Sequence, residues 1–244
     1  MEVIIKNDPV ELGKAAGIAA AGLIRDAVAR NGKANIILAT GASQFETLKQ
    51  LVSQTDIDWS KVVMFHLDEY IGLPESSVAS FRKYLKERFL NKVPALKAVH
   101  LINGETDPAG ECARLNEIIE KSPIDVALVG IGENGHLAFN DPPADFDVED
   151  PYIIVNLDEA CRKQQFNEGW FKSVEDVPRK AISMSIKQIL KSKAIICSVP
   201  DARKAQAVKD CLENPVSNLF PSSILQGHSN CSFYLDKESS GLLS

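Results

Sequence analysis

Short runs of β-branched and apolar residues alternate with amphipathic segments along the whole chain, and this alternation limits the fold more than any other feature. Val3 to Ile5, Ile36 to Ala39, Val62 to Leu67, Val99 to Ile102, Asp125 to Val129, Ile153 to Asn156, Ala181 to Ser185, Ala194 to Val199 and Cys231 to Leu235 read as strands. Between the first two, Asp8 caps a helix that has Pro9 at its first position and Gly32 just past its end. Ser43-Gln44-Phe45-Glu46 reads as a capping box opening the next helix. Further helices are expected over Ser77 to Leu90, from Asp107-Pro108 to about Glu120, from Asp158 to about Trp170, and over Asp201 to Glu213. Strands this apolar need cover on both faces, so the expected fold is α/β: a mainly parallel, Rossmann-like sheet with helices on both faces. No repeat or linker interrupts the pattern, so residues 1–244 are read as a single domain.

Composition excludes several classes of function. Net charge is −6 without a basic block, which argues against nucleic acid and anionic membrane surfaces as partners. No run approaches the roughly 18 apolar residues of a membrane span. Cys112, Cys161, Cys197, Cys211 and Cys231 are scattered and never in C-x-x-C spacing, so they read as reduced core thiols. With no leader pattern at Met1, the expected location is the cytoplasm.

The densest chemistry lies in Gly130-Ile131-Gly132-Glu133-Asn134-Gly135-His136-Leu137-Ala138-Phe139-Asn140-Asp141-Pro142, directly after a buried strand. Its G-x-G-x-x-G string invites a dinucleotide-binding reading, but that fingerprint must open a helix, and Pro142-Pro143 excludes one of normal length. Gly132 and Gly135 instead read as residues that bring backbone amides close to a small ligand. His136 is the natural acid–base at neutral pH, and Asp141 could orient it. His66 reads as a core or rim residue, and His100 and His228 have no clear setting.

Ligands of open α/β sheets bind beyond the carboxyl ends of the strands, where three further segments fall. Thr40-Gly41-Ala42-Ser43 leads into a helix and is either a phosphate cradle or a plain turn. Asp68 and Glu69 end a strand, where a carboxylate could shuttle protons or could be a solvated turn acid; as neighbours on a strand they face opposite ways and cannot share one role. Lys204 lies in a first helical turn, where the helix dipole disfavours a cation unless an anion binds there; Arg203 could serve instead.

Leu67-Asp68-Glu69-Tyr70-Ile71-Gly72-Leu73 and Gly130 to Pro142, in this order and with a Thr-Gly loop before and a lysine after them, resemble the signatures of glucosamine-6-phosphate deaminases. These form part of a broader group with the 6-phosphogluconolactonases. The resemblance implies that His136 opens the sugar ring, assisted by Asp141 and Asn134, and that Asp68 moves a proton between C2 and C1 of the open aldosamine. Thr40 to Ser43 and Lys204 would hold the 6-phosphate, with Glu69, Gly132, Gly135 and Arg162 as further contacts. It implies an amino-sugar-phosphate isomerase/deaminase that uses no metal or cofactor, works on a small phosphosugar, and is a monomer or small homo-oligomer. Lactone hydrolysis and non-catalytic sugar-phosphate sensing are the alternatives.

The chain departs from the family pattern in three places. Asn134 and Asp141 stand where well-characterised members carry Asp and Glu. The family's phosphate-anchoring arginine just ahead of a Phe-Phe pair is missing before Phe171, which leaves Arg162 or Lys163 to substitute, or Gln165 to contact a differently shaped sugar. Residues 144–150 read Ala-Asp-Phe-Asp-Val-Glu-Asp, an acidic stretch that should repel the phosphate of an allosteric activator.

Overall fold

The computed structural model describes residues 1–244. Its strands are β1 (Glu2–Lys6), β2 (Ala34–Leu38), β3 (Val62–His66), β4 (Asp68–Tyr70), β5 (Ala98–His100), β6 (Val126–Val129), β7 (Tyr152–Asn156), β8 (Lys180–Met184), β9 (Ala194–Val199) and β10 (Cys231–Asp236). Its helices are α1 (Pro9–Asn31), α2 (Phe45–Val52), α3 (Phe81–Arg88), α4 (Pro108–Ile119), α5 (Glu159–Asn167), α6 (Ile186–Leu190) and α7 (Ala205–Glu213). Seven strands form one parallel sheet in the order β1-β10-β9-β6-β2-β3-β5. The chain moves outward from β2 in one direction and from β6 in the other, so the strand order reverses between these two neighbours, the place where such sheets open a binding crevice.

Alternation along each strand divides the interior in two. Ile36, Leu38, Met64, Val126, Leu128 and Ile196 pack under α1, α2 and α3, whereas Ile37, Phe65, Ala127, Val129, Ile195 and Cys197 pack under α4, α6 and α7. Helix α1 starts as expected: Asp8 accepts from the amides of Val10 and Glu11, and Gly32 ends it at φ +71°. All five cysteines are buried and unpaired.

Three expectations need correction. Ser43 to Glu46 is not a capping box: residues Ala42–Gln44 form a 3-10 turn, α2 begins at Phe45, and no side chain caps it. Ser43 Oγ instead accepts from Gln44 Nε2, and Glu46 pairs with Lys49. The sheet is also not one body. After β3, Leu67 donates its amide to Leu38 in the main sheet and accepts from Met184 with its carbonyl. Asp68 therefore opens a separate three-stranded antiparallel sheet, β4-β8-β7, instead of ending β3. The helix expected from Ser77 begins only at Phe81, capped by Ser80.

Helices α1 and α2 touch through glycine. A Cβ at Gly13 would lie 2.3 Å from Glu46 Cβ and 2.5 Å from Glu46 C, leaving no room for a methyl group. Gly22, on the same helix, has only the tip of Arg25 near it, at 3.8 Å. Gly13→Ala is therefore expected to destabilise the fold by about 1–3 kcal/mol, lowering the melting temperature by several degrees, while Gly22→Ala stabilises it by about 0.5–1 kcal/mol. Thermal melts of both variants check this, and equal effects would contradict it.

Candidate active site

A cleft of about 230 Å³ lies over the carboxyl ends of β2, β3, β6 and β9. Thr40 to Ser43 follow β2, Leu67 and Asp68 follow β3, Gly130 to Gly132 follow β6, and Pro200, Asp201, Arg203 and Lys204 follow β9. One face of α5 closes the side with Gln164, Gln165 and Glu168, while Phe81 and Phe139 supply an apolar wall.

Asp68 is 6% exposed and accepts no hydrogen bond from the protein. Burial, reinforced by the charge of neighbouring Glu69, pushes its pKa up to about 8. Glu69 points the other way, as strand alternation requires, and accepts from the amides of Phe81 and Arg82 and from Ser80 Oγ. Its carboxylate lies 3.4 Å from the Arg82 guanidinium and satisfies the start of α3. The expected substrate contact at Glu69 is thus corrected to a buried structural acid.

His136 lines the cleft on a tightly folded loop. Its amide donates to Asn134 Oδ1, and its carbonyl accepts from the Gly132 amide and from Ser222 Oγ. Its Nδ1 lies 3.1 Å from Asp141 Oδ1, somewhat off the straight hydrogen-bond line. Asp141 also accepts from Asn134 Nδ2 and the Asp158 amide. Burial, the largest single influence, raises the Asp141 pKa, but His136, the Asp158 amide and Asn134 together hold the carboxyl below its ordinary value. Asn134 and Asp141 lie behind His136, outside the cleft lining, and contact the His136 loop instead of the cleft. Cys161 Sγ is near this pair, but burial drives its thiol well above the ordinary pKa. The donors already on Asp141 fit it to hold an imidazole.

The three glycines of the G-x-G-x-x-G string have three separate steric causes. A Cβ at Gly130 would lie 2.7 Å from Ser43 Oγ, one at Gly132 would overlap the His136 ring at 2.3 Å, and Gly135 turns at φ +83°. The expectation of ligand-facing amides fails at two of them: Gly132 donates its amide to His136, and Gly135 lies outside the cleft against Cys211 and Phe220. No helix follows the loop, which removes the dinucleotide reading.

At the other end, the turn after Gly41 leads into α2 and the turn after Asp201 leads into α7, so two helix starts border one space. Asp201 is held at φ +87°, a strained value for a residue with a side chain. Lys204 is 6% exposed, lines the cleft and takes part in no salt bridge. Burial lowers its pKa, opposed by the charges of Glu168 and Glu133. Arg203, its neighbour, is bound by Asp201 Oδ2 at 3.0 and 2.7 Å. Arg162, one of the candidate substitutes for the missing arginine, donates to the carbonyls of Val174 and Val177 and does not line the cleft.

The family model for glucosamine-6-phosphate isomerases/6-phosphogluconolactonase matches residues 7–233. The chain belongs to this family. Over all of both chains it is 37% identical to a glucosamine-6-phosphate deaminase of Lactococcus lactis subsp. cremoris. It is 39% identical to one from Listeria monocytogenes, over 87% of this chain and 89% of the relative. Among solved structures, a monomeric glucosamine-6-phosphate deaminase is similar with a TM-score of 0.89 and 31% identity, covering 99% of this chain and all of the other. The fold is shared with a 6-phosphogluconolactonase of Trypanosoma brucei, at 19% identity over all of this chain and 98% of the other, with a TM-score of 0.77.

Within the family cleft, sequence reasoning missed Phe81, Gln164 and Glu168. Gln164 on α5 and Glu168 at its C-cap are spaced i, i+4 and so share a face, a signal hidden by the general polarity of that helix.

Asp68 also bears on stability. Its folded pKa lies above its ordinary value of 3.8, so the folded state holds the proton more tightly than the unfolded chain does. The resulting penalty is absent below about pH 4, grows between pH 4 and 8, and is complete above the folded pKa. Asp68→Asn should therefore raise the melting temperature relative to wild type far more at pH 8.5 than at pH 5. A difference independent of pH would contradict this.

Proposed function

We propose that the protein is an isomerising deaminase of hexosamine 6-phosphates, converting an aldose amine to a ketohexose 6-phosphate and ammonia. The observation that carries this reading is the union in one cleft of a partner-free carboxyl, a braced histidine, and a lysine beside two helix starts. The 37–39% identity to curated deaminases supports it.

In this reading the 6-phosphate lies against the turn at Gly41 to Ser43 and Lys204 Nζ, which places the sugar carbons toward Asp68 and His136. His136, with Nδ1 turned to Asp141, presents Nε2 to the substrate and transfers the proton that opens the pyranose ring. The arriving C2 ammonium stabilises the ionised form of Asp68 and draws its raised pKa back down. Asp68 then takes the C2 proton and delivers it to C1. As the C2 proton leaves, the ammonium gives a proton to O1 to form the enolamine; protonation at C1 then makes the ketimine, and water adds at C2 as ammonia leaves. Asn134, Asp141 and Ser222 hold the imidazole loop, so positioning and not a charged first contact is their part.

Purified protein is expected to release one ammonia per ketohexose 6-phosphate formed from glucosamine 6-phosphate or galactosamine 6-phosphate. Asp68→Asn should lower kcat by about 10²–10⁴. Lys204→Met should raise KM by about tenfold or more through loss of a charge-assisted phosphate contact. Inactivity on both amino sugars with rapid hydrolysis of 6-phosphogluconolactone would overturn the reading.

A further inference from the structure

The phosphate end of the cleft contains a carboxylate. Glu168 follows the last turn of α5, and Gly169, at φ +86°, turns the chain so that Trp170 folds back on it. Gln164 Nε2 donates to Glu168 Oε1 at 2.9 Å and Trp170 Nε1 donates to Oε2 at 3.3 Å. Trp170 in turn packs edge-on to Phe45, which stacks on Tyr84, and the Tyr84 hydroxyl donates to the Gly41 carbonyl. The carboxylate is thereby fixed against the Gly41 turn: a Cβ built on Gly41 would lie 4.0 Å from Glu168 Oε2.

The charges around it make this placement informative. Arg203 is held by Asp201 and lies 3.6 Å from Glu133, so Lys204 is the cation left without an ion-pair partner. A phosphate dianion bound at Gly41 to Ser43 would therefore meet one available ammonium and one fixed carboxylate. Like charges so close are unfavourable, and inorganic phosphate carries nothing that relieves the clash. A sugar does, because hydroxyls on the carbons next to its phosphate are hydrogen-bond donors, and each Glu168 oxygen keeps acceptor capacity beyond the one bond it already receives.

We propose that Glu168 is a specificity-determining residue whose carboxylate accepts hydrogen bonds from the hydroxyls adjacent to the phosphate, selecting polyhydroxylated phosphate esters over phosphate itself. This rests on the deaminase reading for the direction in which the ligand lies.

Calorimetric titration of wild type and Glu168→Gln with inorganic phosphate and with the unreactive glucitol 6-phosphate tests it without any turnover. The variant is expected to bind inorganic phosphate about threefold more tightly, as a like charge is removed, and glucitol 6-phosphate about tenfold more weakly, as a charged acceptor is lost. Trp170→Phe keeps the charge but frees the carboxylate. It should weaken glucitol 6-phosphate binding without the gain for inorganic phosphate. If both ligands move together in Glu168→Gln, or neither moves, the proposal is overturned while the deaminase reading stands. Wild type that fails to bind glucitol 6-phosphate at all would remove both.

Discussion

Leu67 has to satisfy two sheets at once. Its amide completes the main parallel sheet at Leu38 while its carbonyl is taken by Met184 of the antiparallel sheet. The chain therefore changes sheets at this residue, and the next side chain, Asp68, is placed in the cleft with no protein donor to stabilise its charge. Burial then does the electrostatic work, since an unsolvated carboxylate without partners prefers its proton. The contrast with Glu69 is direct. One residue later, the same functional group faces away, collects the α3 amides and the Arg82 guanidinium, and becomes structural.

The opposite wall reaches a similar end by crowding. Gly132 must lack a side chain because the His136 ring occupies the space where a Cβ would lie, and its amide is used to hold the His136 carbonyl. Asn134 bonds both to the His136 amide and to Asp141, so one amide side chain fixes the loop and the imidazole's partner together. Asp158, at the cap of α5, receives a bond from the same Asn134, which ties the histidine loop to the helix that carries Gln164, Gln165 and Glu168. The two ends of the cleft are thus coupled through α5. Gln164 repeats the tie, accepting from the Glu133 amide while donating to Glu168.

Most of the parallel sheet was legible because strands buried on both faces are uniformly apolar and flanked by helix caps such as Asp8 and Asp107. Asp68, His136 and Lys204 were legible because each breaks the pattern of a strand end or a helix start. The second sheet was hidden because β7 and β8 are apolar runs of ordinary length, and period alone does not distinguish an antiparallel layer from a parallel one. Gly132 and Gly135 were misread for a related reason: a string of glycines shows where side chains are excluded without showing what excludes them. Arg162 followed the family's need for a cation, yet its reach is spent on the Val174 and Val177 carbonyls. Glu168 escaped notice because an acid after the end of a polar helix is unremarkable until folding sets it against Gly41.

The proposed chemistry depends on Asp68 holding its proton in the unliganded protein and losing it only when a cationic sugar arrives. Carbon-13 NMR of protein labelled at the aspartate carboxyls measures this directly, the Asp68 resonance being the one lost in Asp68→Asn. The expected titration midpoint in the unliganded protein is near pH 8. A midpoint in the ordinary carboxylate range, around pH 4, would contradict it.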